Sequence, residues 1–435
     1  MSRIKDELRN LGTLLPTIID KYVSGDSQVF VPQLQEVVVD ERLSGPKVSV
    51  VPDDEYGIDV IPLRSLNTQP FTSVASIDSS SRLVRSSMTN LVISSGSAYS
   101  TLRGRMHYPF DVAGQFCAVA GSLKSLRDLE SVSSSKGLQL MLVRLRNVAG
   151  YEYALDRVEV ENARTNRVEI DSLYDINGVS DELRLEAENA LIETMNKEDL
   201  LILDGPVIPS IVEILDNHEY HYKKPAKLKE LNHWGKVTHI WSMAEIVKKR
   251  KELLKRRRAV GVVKRLDVSF KLSKVDELAK ALGISPNVFR QLRDVEVLEL
   301  VSRKFCYRPH SICRIGPLKI EHQSRVKRDD TGLEVLNDTF TKYAYYAILN
   351  VPGVRSFFRV ETMDRSLLDP AFKTVFSRIS DNGLPTYIDI ADRLAKRTAS
   401  AAFVLTYDVL KEYVTMAHDT KLEYFSTLSS INQTG

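Results

Sequence analysis

Two short and almost wholly apolar segments limit the folds open to this chain. Residues 200–203 (LLIL) end at an acid, Asp204, and residues 259–263 (AVGVV) end at a base, Lys264. Apolar runs of this length, without polar alternation, are typical of strands that are buried on both faces. Such strands occur mainly in parallel sheets covered by helices, because both faces must be shielded from water.

The segment that precedes them predicts antiparallel strands. Residues 74–77 form an apolar run that ends at Asp78, and the serines at 79–81 are predicted to form a turn. Residues 83–88 and 90–97 contain β-branched side chains, which favour two further short strands. Together these segments indicate a meander at the start of the sheet.

Helical patterns alternate with the strands. They cover about residues 113–129, 180–196, 242–257, 273–283 and 387–416. Alternation of strands and helices after an antiparallel start is typical of proteins with both element types in one layered core. The predicted class is therefore α/β, with a mixed sheet, helical insertions and a C-terminal helix.

The chain is predicted to divide into four parts. Residues 1–30 form an amphipathic helix, whose apolar stripe packs on the core or contacts a partner or a second copy. Residues 31–72 are rich in proline and are expected to be an extended connection. Residues 73–420 form the main domain with its insertions, and residues 421–435 form a C-terminal tail.

Charge and composition exclude several classes of protein. The 60 basic and 57 acidic residues leave a net charge of only +3, which rules out a highly basic, histone-like binder. Three cysteines, Cys117, Cys306 and Cys313, argue against a disulfide framework and favour a reducing compartment, the cytoplasm. No apolar run reaches the roughly 18 residues of a membrane span, so a membrane is not expected among the partners.

Carboxylates at the ends of two apolar strands are the strongest candidates for chemistry. Asp78 and Asp204 each end such a strand, although acids in these positions also begin ordinary turns. Glu186 and Glu188 precede Asp204 on a helical segment and flank its apolar stripe about equally, so the pattern does not choose between them. Either is also compatible with a solvated helix face. Three carboxylates would suit Mg²⁺ or Mn²⁺ rather than zinc, and such a site can hydrolyse a phosphodiester.

Motifs of competing chemistries are missing from the sequence. It contains no GxxxxGK(S/T) phosphate loop, no GxGxxG after a strand, no GxSxG turn around a serine nucleophile and no HExxH zinc pair. Nucleotide-binding, serine-hydrolase and zinc-protease functions therefore have no support.

A concentrated basic run indicates a polyanionic partner. Eight of the eleven residues from 248 to 258 (KKRKELLKRRR) are Lys or Arg. The residues expected to bind DNA are Arg256, Arg257 and Arg258, together with Lys264, which would contact the scissile phosphate or only the wall of a groove. The same run is also compatible with a solvated helix face or the rim of a protein interface.

Six segments, taken in order, resemble the NurA nuclease family. They are IDSSSR (77–82), a helix with glutamates, LDG (203–205), GVVK (261–264), FFRVE (357–361) and a late segment from Leu384 to Ala395 with the pattern LPxxxxxADRLA. Each is short, and the specificity of the resemblance comes from their order along roughly residues 70–400.

The resemblance implies an RNase H-like core and a Mn²⁺-dependent (or Mg²⁺-dependent) DNA nuclease with exonuclease and endonuclease activity. It also implies a homodimer that works with a HerA-type hexameric ATPase in DNA end resection and double-strand break repair. The implied catalytic and metal-binding residues are Asp78, Glu188 and Asp204, where the distance from the LDG segment favours Glu188 over Glu186.

The late segment departs from the family pattern, which usually has a tyrosine and a metal-binding histidine. Leu384 and Asp392 occupy these positions, while Pro385 and Ala391 are retained. Asp392 is expected to be a fourth oxygen ligand, or else an exposed helix acid paired with a neighbouring base. The departure leaves a second functional hypothesis, in which the chain is a catalytically weak DNA-binding or adaptor subunit of the translocase complex.

Overall fold

One large mixed sheet organises the computed structural model, which describes residues 2–24, 48–67, 70–86, 90–120, 143–144, 158–160, 168–170, 176–209, 243–267, 269–328 and 333–434. Within these residues, eleven strands belong to the large sheet, and two more, β7 and β8, pair with each other. The strands are β1 (Val48–Pro62), β2 (Val74–Arg85), β3 (Asn90–Ser100), β4 (Gly104–Tyr108), β5 (Cys117–Ala120), β6 (Val143–Arg144), β7 (Val158–Val160), β8 (Val168–Ile170), β9 (Leu200–Asp204), β10 (Ala259–Val263), β11 (Ser311–Arg328), β12 (Leu333–Val351) and β13 (Val354–Thr362).

The order of the strands across the sheet is β1-β11-β12-β13-β10-β9-β2-β3-β5-β6, and β4 also pairs with β3. In the centre, β2, β3 and β5 are antiparallel neighbours, while β9 and β10 run parallel to β2. This is the arrangement expected for an RNase H-like core. The predicted α/β class with a mixed sheet is therefore confirmed.

Nine helices within the described residues cover this sheet. They are α1 (Ser2–Ser24), α2 (Ile176–Thr194), α3 (residues 243–254), α4 (Asp276–Leu282), α5 (Pro286–Phe289), α6 (Asp294–Phe305), α7 (Arg365–Val375), α8 (Thr386–Leu410) and α9 (His418–Thr434). The predicted C-terminal helix corresponds to α8. The predicted helix at 113–129 is wrong for residues 117–120, which form β5 because they pair with β3, and residues 121–129 lie outside the described part of the chain.

The serines that follow Asp78 lie within a strand and do not form the predicted turn. Ser79 pairs with Gly96 and Ser81 pairs with Ser94, so β2 continues without a break. Hydrogen bonds satisfy the hydroxyl groups of these serines: Ser79 Oγ donates to Glu188 at 2.6 Å, and Ser81 Oγ lies 2.6 Å from Ser180 Oγ. Helix α2 therefore supplies polar partners for two of the serines in this strand.

Helix α1 packs on its own chain. Its side chains Leu8, Leu11 and Leu15 are fully buried, and α1 contacts α8. Gly12 packs just beyond the end of α8, where an added β-carbon would lie 2.5 Å from the Cδ2 atom of Tyr413. The predicted amphipathic stripe is thus used within the chain. Contact of residues 1–30 with a partner or a second copy stays a prediction.

Two segments outside the predicted main domain form regular structure. Strand β1, within the predicted connection, lies at one edge of the sheet and pairs with β11. Helix α9 includes most of the predicted C-terminal tail. Cys306 and Cys313 form one short-range disulfide, whereas Cys117 is buried and free. None of the described helices combines the length and apolar character that a membrane span requires.

A buried ion network holds the segment that follows β9. Glu361 Oε1 accepts the Val207 N–H at 3.1 Å and the Lys342 ammonium at 2.9 Å. Lys342 also donates to the Ile208 carbonyl at 3.0 Å, and Arg359 donates to the second oxygen of Glu361 at 2.9 Å. Burial would raise the pKa of Glu361, but Lys342 and Arg359 outweigh it and lower this pKa to about 2. The network therefore fixes the backbone just beyond Asp204.

Lys342→Met should lower the free energy of unfolding by about 3 kcal/mol, because it removes one of two cations from a buried carboxylate. Urea unfolding at neutral pH would measure this loss. Lys255→Met is the matched control, since Lys255 pairs with Glu252 at an exposed site and should contribute less than about 1 kcal/mol. Equal losses in the two variants would contradict a stabilising role for the network.

Candidate metal centre

Three aspartates from three different elements converge at one end of the central strands. Asp78 lies in β2, Asp204 is the last residue of β9, and Asp392 lies in α8. One carboxylate oxygen of each lies within 4.8 Å of an oxygen of the other two. The structure therefore brings together both acids that were predicted from strand ends and the acid of the late segment.

The parallel pairing of β2 with β9 places two of these acids at the same level. The ladder ends where Ile77 pairs with Leu203, so the next residue on each strand is an aspartate. Helix α8 then crosses β2 and β3. Ser97, which pairs with Asp78 across the strands, is hydrogen-bonded to Thr398 of α8 at 2.8 Å, and this contact fixes the helix above the acids.

Burial and neighbouring negative charges raise the pKa values of Asp78 and Asp204. Burial raises the pKa of Asp78 well above its usual range, and the neighbouring charges of Asp204 and Glu188 raise it further. Burial also raises the pKa of Asp204, to about 6, although Lys264 acts in the opposite direction. Burial and the neighbouring negative charges both favour the protonated carboxyl group, because a buried negative charge is costly without a cation. Added positive charge would therefore lower the electrostatic repulsion within this centre.

Lys264 lies among the acids. Its Nζ atom is 2.6 Å from Asp204 Oδ2 and 3.4 Å from Asp392 Oδ1. Burial would lower the pKa of Lys264, but these carboxylates outweigh it and raise this pKa. The pKa of Asp392 is lowered, since Lys396 and Lys264 outweigh the effect of burial. Lys396 Nζ contacts the other oxygen of Asp392 at 2.7 Å.

Glu188 lies beside the three aspartates. One of its oxygens accepts the Ser79 hydroxyl, and the Ser79 N–H in turn donates to Asp78 Oδ1 at 2.8 Å. Its other oxygen accepts a hydrogen bond from Arg250. Glu188 is buried, whereas Glu186 is only partly buried. Metal ligation by Glu188 stays a prediction.

Arg250 is a site residue that the sequence analysis missed. It belongs to the basic run, yet its side chain is only 1% exposed and its Nε also donates to Asn189 at 2.9 Å. A helical wheel could have found it. Arg250 lies three residues after Val247 and four before Leu254, in the buried stripe of α3, where a charged residue needs a buried partner.

The end of the basic run lies at the opposite edge of the sheet. Arg258 directly precedes β10 and Lys264 directly follows it, so six residue steps of extended chain separate them by about 20 Å. Arg256 and Arg258 are exposed, while Arg257 donates to the Met195 carbonyl at 2.8 Å. The structure thus places Lys264 with the acids and the three arginines away from them. DNA binding by these arginines stays a prediction.

Leu384 and Pro385 begin the late segment. Leu384 is partly buried against the apolar cluster that includes Phe358 and Phe372. Pro385 is the residue before α8, and its fixed backbone suits a helix start. Leu384 therefore packs on the core, and Asp392 is the residue of this segment that reaches the acids.

Comparison with models of known protein families identifies the domain that contains these acids. The model of the NurA domain matches residues 72–397. This chain belongs to the NurA family. The matched residues include all four acids named above and Lys264, so the candidate metal centre lies inside the NurA domain.

Solved structures of NurA proteins are similar to this chain over most of its length. The NurA nuclease from Sulfolobus solfataricus is 12% identical, with a TM-score of 0.37, 95% of this chain covered and 98% of that one. A NurA structure with manganese is 9% identical, with a TM-score of 0.35 and coverages of 80% and 93%. A NurA structure bound to dAMP and manganese is 8% identical, with a TM-score of 0.35 and coverages of 75% and 84%. None of the curated proteins matches this chain.

In metal-free buffer, Asp204 should make the NurA-family protein less stable as the pH rises from about 4 to about 6. The folded protein holds a proton on Asp204 up to a pKa of about 6, whereas the unfolded chain releases it near pH 4. Because the folded state binds more protons in this window, the free energy of unfolding falls with pH, by about 3 kcal/mol for two units.

Urea unfolding in EDTA at a series of pH values would measure this slope. Asp204→Asn cannot titrate and should flatten it. Asp276→Asn, at an exposed position, serves as the control and should leave the slope unchanged. An Asp204→Asn protein with the wild-type slope would remove Asp204 from this account.

Proposed function

We propose that this chain is a divalent-metal-dependent DNA nuclease that hydrolyses phosphodiester bonds. The single observation that carries the proposal is the convergence of Asp78, Asp204 and Asp392 within the NurA domain. Membership of a nuclease family supports the reaction class, and the chemistry of the donors supports the type of cofactor.

The donor set fits Mn²⁺ or Mg²⁺. All three convergent groups are carboxylates, which are the ligands that hard divalent cations prefer. The raised pKa values of Asp78 and Asp204 reflect burial and neighbouring negative charge, both of which a bound cation would offset. Asp78, Asp204 and Asp392 would hold the metal, with Glu188 as a further ligand. When bound, a divalent ion would polarise the scissile phosphate and make a water molecule more acidic.

The residues around the acids have supporting roles in this proposal. Ser79 donates to Glu188 through its hydroxyl and to Asp78 through its N–H, so it orients both carboxylates. Arg250 offsets the charge of Glu188. Lys264, with its side chain 26% exposed, is close enough to the surface to donate to a phosphate oxygen of bound DNA.

The proposed partners rest on the family resemblance alone. A homodimer that works with a HerA-type hexameric ATPase in DNA end resection and double-strand break repair, in the cytoplasm, is the expected setting. The second functional hypothesis is a catalytically weak adaptor that binds DNA for such an ATPase. Leu384 and Asp392 favour it, because they replace the tyrosine and histidine usual in the family.

Asp78→Ala and Asp204→Ala should each reduce Mn²⁺-dependent DNA cleavage by about a thousand-fold, because loss of several kcal/mol of metal-based stabilisation corresponds to that factor. Cleavage of labelled DNA would be measured in Mn²⁺ and in Mg²⁺, with circular dichroism as the test of folding. Glu193→Gln is the control, since Glu193 is an exposed acid on the same helix as Glu188.

A folded Asp78→Ala or Asp204→Ala protein that cleaves at the wild-type rate would overturn the metal assignment.

Glu188→Gln should be more damaging than Glu186→Gln, because Glu188 is linked to Asp78 through Ser79. A wild-type protein that binds DNA without cleaving it in either metal would establish the adaptor hypothesis instead.

Replacement of Arg256, Arg257 and Arg258 by alanine should weaken DNA binding and make it less sensitive to salt. Each lost phosphate contact lowers the slope of log affinity against log salt by about 0.9 for duplex DNA. Binding would be measured by fluorescence anisotropy at several salt concentrations. An unchanged slope would show that these arginines lie off the DNA path and would favour a protein interface at this edge of the sheet.

A further inference from the structure

One side-chain cation already lies at the proposed metal centre. The Lys264 ammonium contacts Asp204 and Asp392 at 2.6 and 3.4 Å, through oxygens of two of the three convergent carboxylates. A divalent ion bound by these groups would need the same two residues. Lys264 and the metal therefore compete for part of one ligand set.

The charges of the centre balance with a single divalent ion. Asp78, Asp204 and Asp392 carry three negative charges when ionised, and Lys264 returns one, which leaves a net charge of −2. The fourth acid, Glu188, is offset by buried Arg250. Lys396 also contacts Asp392, but its side chain is 63% exposed, so solvent screens its charge.

A second divalent ion would reverse this balance. Two ions bring four positive charges, and the centre would then carry a net charge of +2 while Lys264 remains in place. The side chains of Asp204 and Asp392 are only 6% and 20% exposed, so excess charge of either sign is poorly solvated here. Asp392 matters for the balance, because a neutral side chain at this position would leave Lys264 one carboxylate fewer to pair with.

We infer that Lys264 is a built-in cation of the centre, which takes the place of a second metal ion and competes with the divalent ion for Asp204 and Asp392. The centre accordingly binds one divalent ion per chain. This inference rests on the proposed function, since it concerns the same carboxylates. It assigns to Lys264 a role in metal affinity, in addition to any contact with a phosphate.

Isothermal titration of the full-length protein with MnCl₂ tests the inference without DNA. The wild type should bind one Mn²⁺ per chain, and Lys264→Met should lower the dissociation constant about tenfold, because a competing charge is removed at close range. Asp392→Asn should bind more weakly than the wild type. Lys396→Met is the matched control, a lysine that contacts Asp392 from the solvent side, and its dissociation constant should stay within about twofold.

The double variant Lys264→Met/Asp392→Asn decides between charge balance and a purely structural lysine. It restores the net charge of −2, so it should bind Mn²⁺ more tightly than Asp392→Asn alone. The comparison of these two variants also keeps the test valid if Lys264→Met alone fails to fold, because the double variant lacks the uncompensated third acid. Thermal unfolding with and without MnCl₂ would verify the fold of each protein.

Three outcomes would overturn the inference. They are two Mn²⁺ ions per wild-type chain, equal affinity of the wild type and folded Lys264→Met, and equal affinity of Asp392→Asn and the double variant. If the wild type cleaves DNA with Mn²⁺ in these cases, the proposed function stands and only the role of Lys264 fails. If no variant binds Mn²⁺ at all, the inference and the metal-dependent nuclease fail together.

Discussion

The parallel pairing of β2 with β9 is the constraint on which the rest of the site depends. Because the ladder ends at Ile77 and Leu203, both strands present an aspartate at the next position, and neither acid can move without breaking buried backbone hydrogen bonds. Both acids are largely buried, so they have lost much of their hydration. The stability of the core holds these like charges together in spite of their mutual repulsion. The elements around the site reduce this repulsion.

Basic side chains from several elements reduce the repulsion between the buried acids. Arg250 reaches Glu188 from α3, Lys264 reaches Asp204 from the end of β10, and Lys342 with Arg359 surrounds Glu361 beneath the segment after β9. The Glu361 network is closed, since each oxygen of Glu361 has a cationic partner. The group around Asp78 is open by comparison, because its acids outnumber its bases. This difference between the two networks supports the proposal that a cation binds at the second.

Asp78 and Asp204 could be predicted from the sequence because each follows an apolar run. Such a run can be recognised from neighbouring residues alone. Sequence reasoning failed at the serines after Asp78, because their partners Glu188 and Ser180 come from a helix about a hundred residues later in the chain. Periodicity could not choose between Glu188 and Glu186, the family resemblance favoured Glu188, and the packing of α2 buries Glu188 and leaves Glu186 partly exposed. Asp392 entered through a family pattern, since nothing local distinguishes it from other helix acids. The basic run was treated as one surface, whereas the three-dimensional structure divides it between a buried residue, Arg250, and an exposed end.

The length of β10 has a consequence for the size of the substrate. This strand separates Arg258 from Lys264 by about 20 Å, and the protein core fills the direct line between them. Phosphates along one strand of a DNA duplex follow each other at about 3.4 Å along the axis. A duplex that runs along this direction must therefore extend over about six base pairs to touch both the arginines and the acids, and over more if it curves around the surface. If the arginines bind DNA as proposed, shorter duplexes would reach the acids alone, and affinity should rise in a step once the duplex is long enough to span both.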